Sequence, residues 1–243
     1  MIDFSYVVVE RSEAMADAFP ISDRNRVRRR SQRASYDRES VNTILDEALV
    51  CHVGFSVEEQ PYVIPTIHAR VEDTLYLHGS AANRMMTTLA RGARACVTVT
   101  LIDGLVLARS AFHHSMEYRS VVAFGTARAV TEHDEKLEAL KQVVEKIMPG
   151  RWKDTRPPND GEMKSTLVVA ISIEEASAKI RKGGVVDEEE DYALPNWAGV
   201  VPLSLQPQRA VAASKLSASV EVPEYVQRWI RSRIWSAPFE PLP

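Results

Sequence analysis

The residues best suited to chemistry sit in one run, Thr74-Leu75-Tyr76-Leu77-His78-Gly79-Ser80-Ala81-Ala82-Asn83-Arg84-Met85-Met86. An imidazole (His78), a hydroxyl (Ser80) and a guanidinium (Arg84) fall close together in it. Leu75 and Leu77 alternate with Tyr76 and His78, which is the period of a strand. Gly79 permits a turn, Ser80 is a good N-cap, and Met85, Met86, Leu89 and Ala90 form an apolar helical face. The run therefore reads as strand, turn and helix. Unpaired N–H groups at a helix start, with the charge of Arg84 beside them, suit an anion and above all a phosphate. Taken alone, a purely structural helix cap explains the same pattern better.

The other chemistry-bearing residues exclude more than they identify. His113 and His114 are adjacent, so in an extended chain they face opposite ways and cannot share a metal. No HxxxH or HExxH is present, and no metal site is expected. GxSxG, GxGxxG and GxxxxGK are also missing, which removes the hydrolase elbow, the dinucleotide turn and the P-loop. What remains is the phosphate-suited turn, a strand interrupted by Pro65, and the polar segment 112–120.

Composition sets the class. The chain has 243 residues, 45% hydrophobic and 26% charged, as in an ordinary globular protein. A net charge of -3 supplies no global attraction for nucleic acid or anionic membrane. The basic run from Arg24 to Arg33 lacks interleaved aromatics and reads as a solvated arm lying over the domain or a partner subunit. No apolar run reaches the ~18 residues of a membrane span, and no signal peptide is expected. Cys51 and Cys96 lie in strand-like runs without a CxxC, as buried free thiols. A cytoplasmic location is expected.

The elements that position these residues follow in order. Residues 1–36 read as an arm with a short strand within 6–9. Residues 37–49 are helical, with Asp37 or Ser40 as cap and Val41, Ile44, Leu45, Ala48 and Leu49 on one face. Residues 51–57 and 61–67 form a hairpin about Glu58-Glu59-Gln60, with Pro65 marking an edge or a bulge. Residues 95–101 and 105–109 pair about the turn signal Asp103-Gly104. A long strand over 118–130 has Gly125 at a bend or close approach, and a helix over 131–148 is capped through Thr131 and Asp134. Loop 149–160, strands 165–173, 178–181 and 197–203, a solvated acidic run 187–191, a linker 206–222 and a helix 223–235 complete the chain. The domain plan is an arm over 1–36, a barrel over 37–205, a linker over 206–222 and a helical extension over 223–243. Short strands, hairpins and few helices give a mainly β, α+β class with a barrel and helices outside it.

A resemblance sharpens this. Over residues 24–203 the chain resembles the pyridoxamine 5'-phosphate oxidase-like, FMN-binding split-barrel superfamily, and in it the nitroimidazole-resistance-like flavoproteins. It is carried by Tyr36-Asp37-Arg38-Glu39, Ile44-Leu45-Asp46-Glu47-Ala48, Pro61-Tyr62-Val63-Ile64-Pro65-Thr66, the run from Leu75 to Met85, and Asp103-Gly104-Leu105-Val106-Leu107-Ala108-Arg109-Ser110. His113-His114-Ser115-Met116-Glu117-Tyr118-Arg119-Ser120-Val121-Val122, Pro149-Gly150-Arg151-Trp152 and Trp197-Ala198-Gly199-Val200 continue it.

The resemblance implies a six-stranded Greek-key split barrel and a homodimer with two FMN sites at its interface. It implies that the Pro65-Thr66 strand lies along the isoalloxazine, and that His78, Gly79, Ser80, Arg84 and Met85 hold the phosphate. Tyr118, Arg119 and Ser120 are implied near the cofactor. His78, Tyr118 and His114 are the candidate catalytic groups. Met85 stands where more basic relatives have lysine, His68 where an aromatic residue is usual, and Glu117 where an amide is common. No substrate signature for vitamin B6 synthesis is present at the C-terminus. The implied activity is electron or hydride transfer from NAD(P)H to a small nitro or quinone-like acceptor. The alternatives are a split barrel binding haem, through His113 or His114, or a deazaflavin, and a flavin carrier or sensor without catalysis.

Overall fold

The computed structural model describes residues 17–234; the strand expected within 6–9 and the last residue of the expected C-terminal helix, Trp235, lie outside them. Segment 17–37 lies against the barrel. Phe19 is buried, its N–H donates to Tyr36 O at 2.9 Å, and Asn25 donates to Ala176 O at 3.1 Å. Arg24 of the basic run pairs with Glu175 at 2.9 Å and stands 5.0 Å from the Phe124 ring.

After the short strand β1 (Ala34–Ser35), helix α1 spans Arg38–Glu47. Asp37 caps it by accepting the Ser40 N–H at 2.7 Å. Hydrogen bonds from the Ser35 hydroxyl and this N–H hold its carboxyl below the usual range. Val41, Ile44 and Leu45 fill the core side of the helix. Strands β2 (Cys51–Val57) and β3 (Gln60–Thr66) then pair without a break from Cys51↔Thr66 to Val57↔Gln60. Their turn places Glu58 and Glu59 at φ 48° and 66°, the handedness that matches strand twist. Pro65 thus marks an edge strand and not a bulge.

Strands β4 (Ala69–Val71) and β5 (Thr74–Ser80), helix α2 (Arg84–Leu89) and the long strands β6 (Arg94–Leu107) and β7 (Ser115–Ala129) follow. Then come α3 (His133–Ile147), α4 (Asp160–Ser165), β8 (Thr166–Ser172), β9 (Glu175–Arg181), β10 (Gly199–Pro202) and α5 (Glu224–Ile234). The hydrogen-bonded path is β3-β2-β6-β7-β8-β5-β4, with β9 on β7, β1 on β9 and β10 on β6, every pair antiparallel. This is the mainly β architecture of a split barrel with flanking helices, and the sheet is not closed. Leu75, Leu77, Val97, Val99, Val121, Val169 and Ile171 point into one apolar interior.

Several local expectations are corrected. Asp103-Gly104 is no hairpin turn: β6 runs through it, with a register shift against β7 between Ile102 and Gly104. Helix α3 starts at His133 without a side-chain cap, so Thr131 and Asp134 form no capping box. Segment 149–160 contains a 3-10 turn over Arg151–Asp154 and leads into α4, whose capping box joins Asn159 and Glu162. Asp187 of the acidic run is buried against Arg109 at 2.9 Å. Cys51 is fully buried, and burial pushes its thiol up to about 12, while Cys96 is half-buried.

The barrel turns its corner at Gly125. Up to Phe124, β7 pairs with β9; from Ala127 it pairs with β8. The β8–β9 connection crosses at that point, with Glu174 N–H donating to Phe124 O at 3.0 Å and the Glu174 carboxylate accepting Thr126 N–H at 2.9 Å. A Cβ on Gly125 would lie 1.8 Å from Ser172 O. Gly125→Ala is therefore expected to destabilise the fold by at least about 2 kcal/mol, which lowers Tm by roughly 4–8 °C for a chain of this size. A thermal melt of the variant checks it; an unchanged Tm would mean that the corner relaxes freely.

Candidate functional site

The alternation of β5 creates the first site. Leu75 and Leu77 enter the core, so Tyr76, His78 and Ser80 stand on the opposite face. His78 is paired with Val168 and Ser80 with Thr166 of β8. Tyr76 donates to Glu135 of α3 at 3.0 Å, and Glu135 in turn pairs with Arg128. This face of β5 is therefore the one that α3 covers.

The turn after β5 differs in detail from the sequence expectation. Gly79 lies within the strand, and its missing side chain makes room for Met86, whose Cγ would be 2.9 Å from an added Cβ. The N-cap of α2 is Asn83, which accepts the Met86 N–H at 3.3 Å, and not Ser80. Ser80 organises the turn: its hydroxyl accepts Ala82 N–H at 3.2 Å and its carbonyl accepts Asn83 N–H at 3.0 Å. Met85 and Met86 are buried in the core, whereas Arg84 is exposed, 5.1 Å from the Tyr62 ring. Tyr62 is itself stacked on Phe55. The turn thus carries an exposed hydroxyl and an exposed guanidinium four residues apart, beside the start of a short helix.

Behind it, His78 lines a cavity of about 590 Å³ between β5 and α3. Val143, Val144 and Ile147 of α3 and Trp152 form its apolar wall, with Arg151 and Arg156 at its rim. Arg156 is held by Glu162 at 2.5 Å, and Arg151 donates to the Tyr225 hydroxyl of α5 at 3.0 Å. The Nδ1 of His78 is buried without a hydrogen-bond partner among the described residues. Such an atom costs about 1–3 kcal/mol. Burial alone lowers the His78 pKa, so its imidazole is neutral near pH 7.

The remaining candidates lie elsewhere. Pro65 is exposed opposite His52, which faces Thr98, which faces Val122. Cross-strand partners share a face, so Pro65 and the outward residues Tyr118 and Ser120 of β7 belong to one outer surface. Ser120 donates to Lys179 O at 3.3 Å. Thr66 is one residue out of phase with Pro65 and turns to the other face. Arg119 likewise faces away from Tyr118 and Ser120. Its guanidinium is clamped by Asp103 at 2.8 Å and by Glu47, and those hydrogen bonds raise its pKa. His114 is exposed, with Nδ1 3.0 Å from Ser110 O, and His113 stands 3.2 Å from Glu188. One chain therefore places His78 and Ser80 on one face of β5 and Pro65, Tyr118 and Ser120 on another surface, while Arg84 reaches the Tyr62 ring of β3.

The residues that depart from relatives have structural work. His68 is fully buried, and its Nε2 donates to Leu45 O at 2.9 Å at the end of α1, where Lys146 of α3 donates as well at 3.2 Å. Glu117 is buried and accepts the N–H groups of Gly183 and Gly184 at 3.0 and 2.8 Å. Sequence reasoning missed Asn83, Trp152 as a cavity wall, and Arg151. An asparagine three residues before Met86 was the available sign of the cap.

The family model described as pyridoxamine 5'-phosphate oxidase matches residues 37–180. The flavocytochrome Anf3 of Azotobacter vinelandii is 40% identical, with 85% of this chain and 96% of that one covered and a TM-score of 0.80. The FAD- and haem-binding protein of Mycobacterium smegmatis is 34% identical over 81% and 96% of the two chains, with a TM-score of 0.78. A 5-nitroimidazole antibiotic resistance protein of Bacteroides thetaiotaomicron is 25% identical over 60% and 86%, with a TM-score of 0.52. No curated protein matches.

The buried His68 makes a pH prediction. Burial lowers its pKa from 6.5 to about 4. Between these values the unfolded chain binds the proton and the folded chain does not, so stability falls as pH falls. One such group contributes up to about 1.4 kcal/mol per pH unit, roughly 3 kcal/mol across the window. His68→Gln keeps an N–H donor and does not titrate. Urea unfolding at pH 7 and pH 4.5 should show a smaller loss in the variant than in the parent; equal losses would relieve His68 of this role.

Proposed function

Because this chain belongs to the pyridoxamine 5'-phosphate oxidase family of split barrels, we propose that it is a redox protein that binds a flavin and, as a second group, a haem. The observation that carries this reading is its similarity, over more than four fifths of its length, to a flavocytochrome and to an FAD- and haem-binding protein. The residues present fit both groups. Ser80 and Arg84 offer a hydroxyl and a guanidinium to a phosphate, and the apolar cavity is lined by a histidine, His78.

A flavin would supply hydride and single-electron chemistry, and the chain's part is to bind and orient it. Arg84 is the main cation for its phosphate, whether that of FMN or one of the two in FAD, and Ser80 adds a neutral hydrogen bond. Pro65, Tyr118 and Ser120 form the surface along which the ring system lies, with the Tyr118 phenol and the exposed His114 as proton donors to a bound acceptor. The electron source in this reading is NADH or NADPH and the acceptor a small nitro or quinone-like molecule. Since the two groups of candidates lie on separate parts of one chain, a homodimer that joins them is part of the proposal. Light scattering should then give twice the chain mass of 27.2 kDa, and a monomer at micromolar concentration would remove this part.

Absorbance of the purified protein, followed by anaerobic NADH or NADPH, tests the rest. Flavin bands and a Soret band, with the flavin bleached by the nucleotide, are expected; a flavin that no nucleotide reduces favours a carrier or sensor. Arg84→Ala should weaken FMN or FAD binding by roughly ten- to a hundredfold, from a charge-assisted contact of about 1.5–3 kcal/mol. It should leave riboflavin, which lacks the phosphate, near the parent. Equal losses for all three would mean that the phosphate lies elsewhere.

A further inference from the structure

We propose that the cavity between β5 and α3 is the haem site, with His78 as an axial ligand of the iron and Arg151 at the mouth facing the propionates. The assignment rests on the flavin-and-haem reading above and gives the second group a place in the chain.

Comparison of the six histidines supports it. His52, His114 and His133 are exposed, and His113 stands against Glu188. His68 is fully buried and already donates to Leu45 O. His78 is half-buried on a wall of a cofactor-sized cavity; its Nδ1 is fully buried, so Nε2 is the ring nitrogen that can meet an iron there.

The walls match a flat apolar macrocycle with acidic side chains at one edge. Val144 and Trp152 are left half-exposed, and Ile147 is 49% exposed, so the face of α3 toward the cavity is short of apolar cover. Of the rim cations, Arg156 is neutralised by Glu162, whereas Arg151 is held by a neutral phenol, that of Tyr225. The carboxylate of Asp154 also lies on the rim and tempers the charge of Arg151 without a direct ion pair. His78 and Ser80 are two residues apart on one strand face, about 7 Å by strand rise. The haem would thus sit beside the turn assigned to the flavin phosphate.

The test titrates haem into the purified protein and into three variants, with Soret position, flavin content and thermal melt read for each. His78→Ala should lose haem affinity at least tenfold, and added imidazole should restore the parent Soret band, a rescue that a merely structural role of His78 would not show. His78→Met, which fills the space should the alanine variant fold poorly, should bind haem with a displaced Soret band. Arg151→Ala should weaken haem binding several-fold at an unchanged Soret position. A parent that binds haem while both His78 variants keep its spectrum and affinity overturns this assignment alone. A parent that shows flavin bands and no haem uptake overturns the haem reading and the assignment together.

Discussion

The approach of the Gly125 backbone to the Ser172 carbonyl is the contact on which the barrel depends. There β7 leaves β9 and takes up β8, so one strand serves both halves of the split barrel. A side chain at that position would push the β8–β9 connection away, and with it β8, on which β5 hangs through a continuous ladder from Thr74↔Ser172 to Ser80↔Thr166. The row of His78 and Ser80 is therefore placed by a residue of neither strand. Since strand faces alternate strictly, the same ladder that buries Leu75 and Leu77 must deliver Tyr76 and His78 to α3 and leave Ser80 on the same face beyond it.

Several arginines are fixed by carboxylates of the scaffold. Arg24, Arg109, Arg119 and Arg128 have carboxylate partners that tie the arm, the late loops, α1 and α3 to the barrel, and Arg156 pairs locally with Glu162 of α4. Arg84 instead lies beside an aromatic ring and Arg151 beside a phenol, which leaves their charge less compensated. The imidazole of His78 has apolar neighbours on α3 and a lowered pKa from burial alone.

Elements with strong local signals were legible in the sequence. The Asp37 cap with Val41, Ile44 and Leu45 gave α1, and alternation gave the β2–β3 hairpin and β5. The failures share a cause, which is that a distant partner decides. Gly104 looks like half of a turn, yet its lack of a side chain is required by β10, since a Cβ there would meet Val200 at 2.8 Å. Asp187 looks solvated within an acidic run, and its partner Arg109 is far off in sequence. Ser80 was the plausible cap by type, and Asn83 displaced it because β5 extends two residues beyond its alternation, through Gly79 to Ser80. The site shows the same division. The phosphate-suited turn was readable because its parts are contiguous, whereas the cavity behind His78 is walled by α3 and Trp152, some 60 to 75 residues later.

The two prolines of β3 have a consequence for how the molecule behaves in a crowded solution. An edge strand offers its outward N–H and C=O groups to any passing strand, and the exposed Val63 would add apolar grip to such an encounter. Pro61 and Pro65 keep the β2 ladder intact, so their ring nitrogens occupy positions that point away from β2. Val63, midway between them, shares that direction. A foreign strand approaching this edge would therefore find one donor where regular pairing requires three, and the edge resists templated growth into aggregates without spending a charge on it.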